Sequence, residues 1–218
     1  MGRTLRKERS LSRKQGNLLP KRRIYIVCEG EKSEPNYLKE FAKCSGNGLV
    51  ELFIKKGIGV PFSVVSHSIE LKKSLEKKAR KSKDPLDNMY SIWTVFDCDE
   101  HPKISESFAL AKSEGVNVAY SNPCFEIWAL WHFDDFNAFI DRHAAQKTLE
   151  TLHKPYQKTG GKKICARSLY AMYSDAKSRA ERAIALQNQY GENKANPYSD
   201  VFILLEDIIS SGKRKNFR

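Results

Sequence analysis

Short apolar runs alternate with amphipathic stretches through the first 133 residues, and that alternation limits the fold more than any composition figure. "RRIYIVC", "LVELFIK", "MYSIWTVF" and "VNVAYS" are too short for stable helices and rich in β-branched and aromatic residues, as buried strands are. Between them lie "SEPNYLKEFAKC", residues 62–83 and "KISESFALAKSEG", each with apolar residues at helical spacing. A crossover helix returns the chain to the same end of a sheet, so three such crossovers join four mostly parallel strands. The expected fold class is α/β, with about four largely parallel strands and a helical C-terminal region.

Local signals fill in this outline. Ser33 stands where a helix cap is needed and Pro35 suits a first helical turn, with Tyr37, Leu38, Phe41 and Ala42 on one face. Gly57 and Gly59 end the second strand. Val64, Val65, Ile69, Leu71 and Leu75 form the apolar side of the helix at 62–83, whose last turns are strongly basic. "NPCFEIWALWHF" predicts a helix opening at Asn122-Pro123, with Phe125, Trp128, Ala129, His132 and Phe133 on one face as core. Two amphipathic helices follow, separated by "PYQKTGGKK", and a last helix follows Asn196-Pro197. The expected division is a basic arm at 1–21, an α/β domain at 22–133, a helical extension at 134–210 and a basic tail at 211–218.

The net charge of +12 is carried by the ends of the chain. Residues 1–23 hold nine Lys or Arg against one Glu, and "SGKRKNFR" adds four more cations, so the body between is neutral. Such ends bind nucleic acid electrostatically or serve as solubilising arms. The five cysteines, widely and irregularly spaced with no Cys-x-x-Cys, argue against a disulfide framework or a zinc site. No apolar run near the N-terminus approaches the ~20 residues a membrane span needs, and the basic start lacks the hydrophobic stretch of a secretory signal. A cytoplasmic protein without membrane attachment is expected.

Acidic residues stand where strands should end. Glu29 follows "RRIYIVC", while Asp97 and Asp99 follow "WTVF". Ligands of open α/β sheets bind outside the carboxyl ends of the strands, so neighbouring strands would bring these acids into one crevice. Clustered carboxylates either hold a proton or recruit a cation, and all-oxygen ligation suits Mg²⁺ or Mn²⁺. Glu31 and Glu34 read more simply as acids at the start of the following helix. Glu126, in the first turn after the fourth strand, either answers the helix dipole, joins the metal site or holds Asn122. His101 lies just past Asp99, in position for a phosphate or water contact. His132, Trp128 and Trp131 read as core. Lys32, Lys72, Lys73, Lys77, Lys78, Arg80 and Lys81 are the candidate phosphate contacts.

"IVCEGEKSEPNYL", "VFDCDEHP" and "SNPCFEIWALWHF", with "NPYSDVFILLEDI" near the end, together resemble the RloB-like family of bacterial Toprim-related proteins. The resemblance implies a Toprim-like Rossmannoid domain in which Glu29 takes the catalytic glutamate position and Asp97 and Asp99 the metal-binding DxD positions. Many Toprim proteins carry a second acid four positions after the first glutamate; here that position is Ser33, and Glu34 follows it. The resemblance further implies a Mg²⁺-dependent nuclease in antiphage or restriction-like defence, with an ATPase partner. Two other readings stand beside it: a non-catalytic subunit that binds nucleic acid or the ATPase, and an RNA-processing or tRNA-cleaving ribonuclease. DNA and RNA are not separated by these residues, and homodimerisation is open.

Overall fold

In a computed structural model of the chain, the residues described are 22–45, 50–98, 103–157, 159 and 161–211. The basic arm, the basic tail, Asp99 and His101 lie outside them. Five strands form one sheet: β1 (Arg22–Cys28), β2 (Val50–Lys55), β3 (Tyr90–Asp97), β4 (Asn117–Asn122) and β5 (Tyr198–Ser199). Their order is β2-β1-β3-β4-β5. The first four are parallel, as the helical crossovers require, and β5 adds antiparallel to β4 through Ser121–Ser199 and Asn122–Tyr198. The two-residue β5 carries too little pattern to be seen in the sequence.

Side-chain alternation on β1 and β3 sorts the sheet into two packed faces. Ile24, Ile26 and Cys28 of β1, with Trp93 and Val95 of β3, join the larger core. That core also takes Tyr37, Leu38 and Phe41 of α1 (Ser33–Cys44) and all five residues after Glu126 from Ile127 to Trp131. Ile92 and Phe96 turn to the other face, against Val65 and Ile69 of α2 (Pro61–Lys81) and Ala111 of α3 (Ile104–Ser113). Asp97 has the parity of Trp93 and Val95. Its side chain is therefore delivered to the α1 side of the sheet.

α4 (Glu126–Leu130) is short and buried on every side. A helix surrounded by core has no polar stripe, so the one-faced helix expected from Asn122 gives way to this single buried turn. Asn122 stays in β4, and its Nδ2 donates to the Lys194 carbonyl. The next helix is also shorter than its amphipathic pattern: residues 134–141 are not helical, and α5 (Arg142–Leu152) starts where the Asp141 carboxylate accepts from the His143 and Ala144 amides. α6 (Ala166–Leu169), a 3-10 turn (Tyr170–Met172) and α7 (Tyr173–Gln189) follow, and α8 (Val201–Ser211) begins after β5, four residues beyond Pro197. Ala145, Leu149, Ala176, Val201, Leu204 and Ile208 lie in the same core as β1 and β3, so the C-terminal helices complete the sheet's larger face. No helix among the described residues is long and apolar enough to cross a membrane.

Within this core the Trp128 indole N–H donates to the Tyr37 hydroxyl at 2.8 Å, linking α4 to α1. Both residues are fully buried, so the Tyr37→Phe variant leaves that N–H without its partner. The expected cost is about 1–3 kcal/mol, read as a lower urea midpoint with an unchanged m value.

A buried carboxylate crevice

Parallel pairing of β1 with β3 sets Cys28 opposite Val95, so the two strands end side by side. The Asp97 amide there donates to Glu29 Oε2 at 3.2 Å, and the Glu29 amide donates to the Val95 carbonyl. The two acids read from the sequence are thus neighbours across adjacent strand ends. Asp97 Oδ1 is buried and has no hydrogen-bond partner among the described residues.

Two further carboxylates line the same crevice of roughly 290 Å³. Glu34 enters from the first turn of α1 and is only 6 % exposed; Glu126 enters from the first turn of α4 and is only 3 % exposed. Glu126 Oε1 accepts a 2.6 Å hydrogen bond from the Tyr156 hydroxyl. Burial beside that carboxylate raises the phenol's pKa, so Tyr156 stays a donor. The expectation that Glu34 merely opens its helix is therefore incomplete. It does stand at the start of α1, but its carboxylate is part of the site.

Gly30 makes that placement feasible. A Cβ on Gly30 would lie 2.4 Å from Glu34 Oε2, well inside contact distance. Its role is this close approach of a carboxylate to the backbone. Ser33 also departs from expectation. Lys32 occupies the cap position of α1 with no side-chain cap, and the Ser33 hydroxyl donates instead to the Lys162 carbonyl at 3.0 Å.

Crowding and burial shift the acids strongly. Burial raises the Asp97 pKa well above the usual carboxylate range, and the neighbouring Glu34 and Glu126 add to it, with Arg142 opposing. Glu34 is pushed up to about 7, chiefly by burial and then by Glu126 and Glu29, while its own backbone amide and Lys162 pull the other way. Arg142, the first residue of α5, and Lys162 both line the crevice, as do Gln146 and Lys32. The two cations belong to the region after residue 133 and had no local signal in the sequence.

The remaining predicted contacts lie elsewhere. α2 follows β2 and runs back along the sheet, so its basic turns end near the start of β3, away from the crevice. Lys72 Nζ donates to the Glu114 carbonyl at 2.5 Å, in the turn before β4. Lys73, Lys77, Lys78, Arg80 and Lys81 are exposed at that far end. His132 is core, as expected: its ring packs edge-on to Trp128, and burial lowers its pKa to about 4. Trp128 and Trp131 are fully buried.

As a donor set, the crevice fits a hard, oxygen-liganded cation: four carboxylates line it, and Asp97 Oδ1 is a buried acceptor with no hydrogen-bond partner among the described residues. Among the described residues, however, no three Asp, Glu, His or Cys side chains already stand in metal-binding geometry. The expected trio of Glu29, Asp97 and Asp99 includes a residue outside those described.

Two outcomes follow from the packing. In Gly30→Ala the new methyl group displaces Glu34, and the stability cost shrinks in a Glu34→Ala background; a double-mutant cycle reads this coupling. The second concerns pH. The folded state keeps the Glu34 proton up to about 7, whereas an ordinary glutamate loses it near 4.5. Across that window the unfolded chain binds fewer protons, so stability falls as pH rises, by on the order of 3 kcal/mol. Urea midpoints from pH 4 to 8 in metal-free buffer should fall accordingly, and less steeply in Glu34→Gln.

The family model for RloB-like protein matches residues 24–208, from the middle of β1 to the last turns of α8. No curated protein and no solved structure matches the chain. With that single match extending from Glu29 through Glu34, Asp97 and Glu126 to the helices that close the crevice, the chain belongs to the RloB-like protein family.

Proposed function

We propose that the chain is a metal-dependent phosphodiesterase that cleaves nucleic acid. The observation that carries this reading is the meeting of Glu29 and Asp97 at adjacent parallel strand ends, with Glu34 and Glu126 buried behind them. A buried carboxylate cluster of this kind is costly in an apolar interior, and a divalent cation is a partner that its all-oxygen chemistry matches. Glu29, Asp97 and Glu34 are the residues that would hold it, and the DxD motif assigns Asp99 to the same role. Bound there, Mg²⁺ or Mn²⁺ would stabilise charge on the phosphate and ease deprotonation of a water.

The chain's own groups have separable tasks. Glu29 is half-exposed at the mouth, where it can accept a proton from an incoming water. Asp97 and Glu126 lie deeper, and Tyr156 fixes the orientation of Glu126 by its hydrogen bond. The walls exclude bulk water from the inner acids, which strengthens every electrostatic interaction at the mouth. The resemblance of the sequence motifs to Toprim-related proteins supports placing this activity in antiphage defence, with an ATPase as working partner. RNA, including tRNA, is a substrate for the same chemistry as DNA.

The test is a gel assay of labelled DNA and RNA with Mg²⁺, Mn²⁺ or EDTA, with and without the ATPase partner. Cleavage is expected only with the metals, and Glu29→Ala or Asp97→Ala should bring it below detection while far-UV circular dichroism stays unchanged. Full activity in either variant overturns the proposal. A wild-type protein that binds but never cleaves points to the non-catalytic subunit.

A further inference from the structure

The crevice has two chemically different walls. The sheet ends and α1 supply carboxylates, whereas α5 and the segment before α6 supply Arg142, Gln146 and Lys162. Gln146 lies one helical turn after Arg142, so both face the same way from α5. Gln146 is 2 % exposed, and Arg142 and Lys162 are half-buried.

The Arg142 side chain and the Lys162 backbone are each tied to a segment that carries one of the acids. Arg142 Nη2 donates to the Pro123 carbonyl at 3.2 Å, just before α4. The Lys162 carbonyl accepts from Ser33, just before Glu34, and Lys162 itself adopts a positive φ of 51°. A lysine in this left-handed conformation is costly unless the surroundings fix it. The surroundings here aim it at the same cavity as the carboxylates.

We propose that Arg142 and Lys162 form the phosphate-binding wall of the crevice, gripping the sugar-phosphate backbone of a nucleic-acid strand beside Glu29 and Asp97. This rests on the phosphodiesterase reading for the identity of the strand, but not for the existence of an oxyanion subsite. The guanidinium presents a planar fork that matches two phosphate oxygens, and the ammonium adds a second point of charge. Four acids alone would repel a phosphodiester. The two cations make the cavity mouth acceptable to an anion while leaving the acids facing the phosphorus. Arg142 and Lys162 thus act as substrate-positioning residues, and the region after residue 133 supplies one wall of the site.

The experiment measures binding rather than turnover. Fluorescein-labelled single-stranded DNA and RNA oligonucleotides are titrated with the full chain in EDTA, and again in Ca²⁺, at several salt concentrations, with fluorescence anisotropy as the readout. Arg142→Ala and Lys162→Ala should each weaken binding by about tenfold, and each should flatten the plot of log affinity against log salt by about 0.7. Arg142→Lys should recover the salt slope but only part of the affinity, because the charge is kept and the fork is lost. Thermal melts establish that the variants are folded; if Arg142→Ala fails to fold, Lys162→Ala and Arg142→Lys carry the test. Wild-type affinity and slope in both alanine variants, or no measurable binding by the wild type, overturns the proposal. Loss of binding in these variants with no cleavage by the wild type under any condition upholds this subsite and removes the phosphodiesterase reading. Cleavage by the wild type with undiminished binding in the variants does the reverse.

Discussion

Everything around the crevice is organised by the repulsion of four carboxylates, two of them, Glu34 and Glu126, held where water barely reaches. Left alone in an apolar interior, such charges cost several kcal/mol each, and the ordinary relief is to keep a proton. Asp97 and Glu34 are pushed toward that relief, their pKa values raised by burial and by neighbouring acids. The other relief is opposite charge, which comes from Arg142 and Lys162. The fold has to supply both, and it does so by packing helices from the two halves of the chain around the carboxyl ends of β1 and β3.

That constraint explains why several residues have tasks other than those their local sequence suggests. Gly30 is small because a carboxylate passes over it, and Ser33 ties down a distant carbonyl rather than capping its helix. Tyr156 lies in the helical region yet its hydroxyl reaches Glu126 at the base of the crevice. Each of these contacts fixes a side chain whose free position would let the acids separate. A site with this much mutual repulsion holds its geometry because it is backed by a packed core: Trp128, Trp131, Tyr37, Tyr156, Phe125 and Phe41 are all essentially buried in the larger cluster.

The parts of this arrangement visible in the sequence are those encoded by short-range pattern. Four strands, their parallel pairing and the placement of Glu29 and Asp97 at strand ends follow from runs of apolar residues and the acids that interrupt them. Glu34 was legible as a helix-start residue but not as a buried one, because its burial depends on how α1 rotates against β1 and on the missing side chain at Gly30. Arg142 and Lys162 had no signal, since their relevance arises from contacts spanning 19 and 129 residues, to Pro123 and Ser33. β5 escaped detection by being two residues long, and α4 was misjudged in extent because a helix buried on all sides has no periodicity. The basic turns of α2 were easy to see, yet only the crossover geometry places them at the opposite end of the sheet.

The hydrogen bond from Ser33 to Lys162 has a consequence for how the protein is made. Synthesis proceeds from the N-terminus, so Glu29, Glu34, Asp97 and Glu126 leave the ribosome before either Arg142 or Lys162. A nascent chain ending near residue 133 carries all four acids with neither cation, and with the larger face of its sheet still lacking α5, α7 and α8. Its crevice would be an open, self-repelling cluster without the counter-charge of Arg142 and Lys162. Assembly of the site is thereby coupled to completion of the chain, which separates the acidic half from its function until the last third has docked.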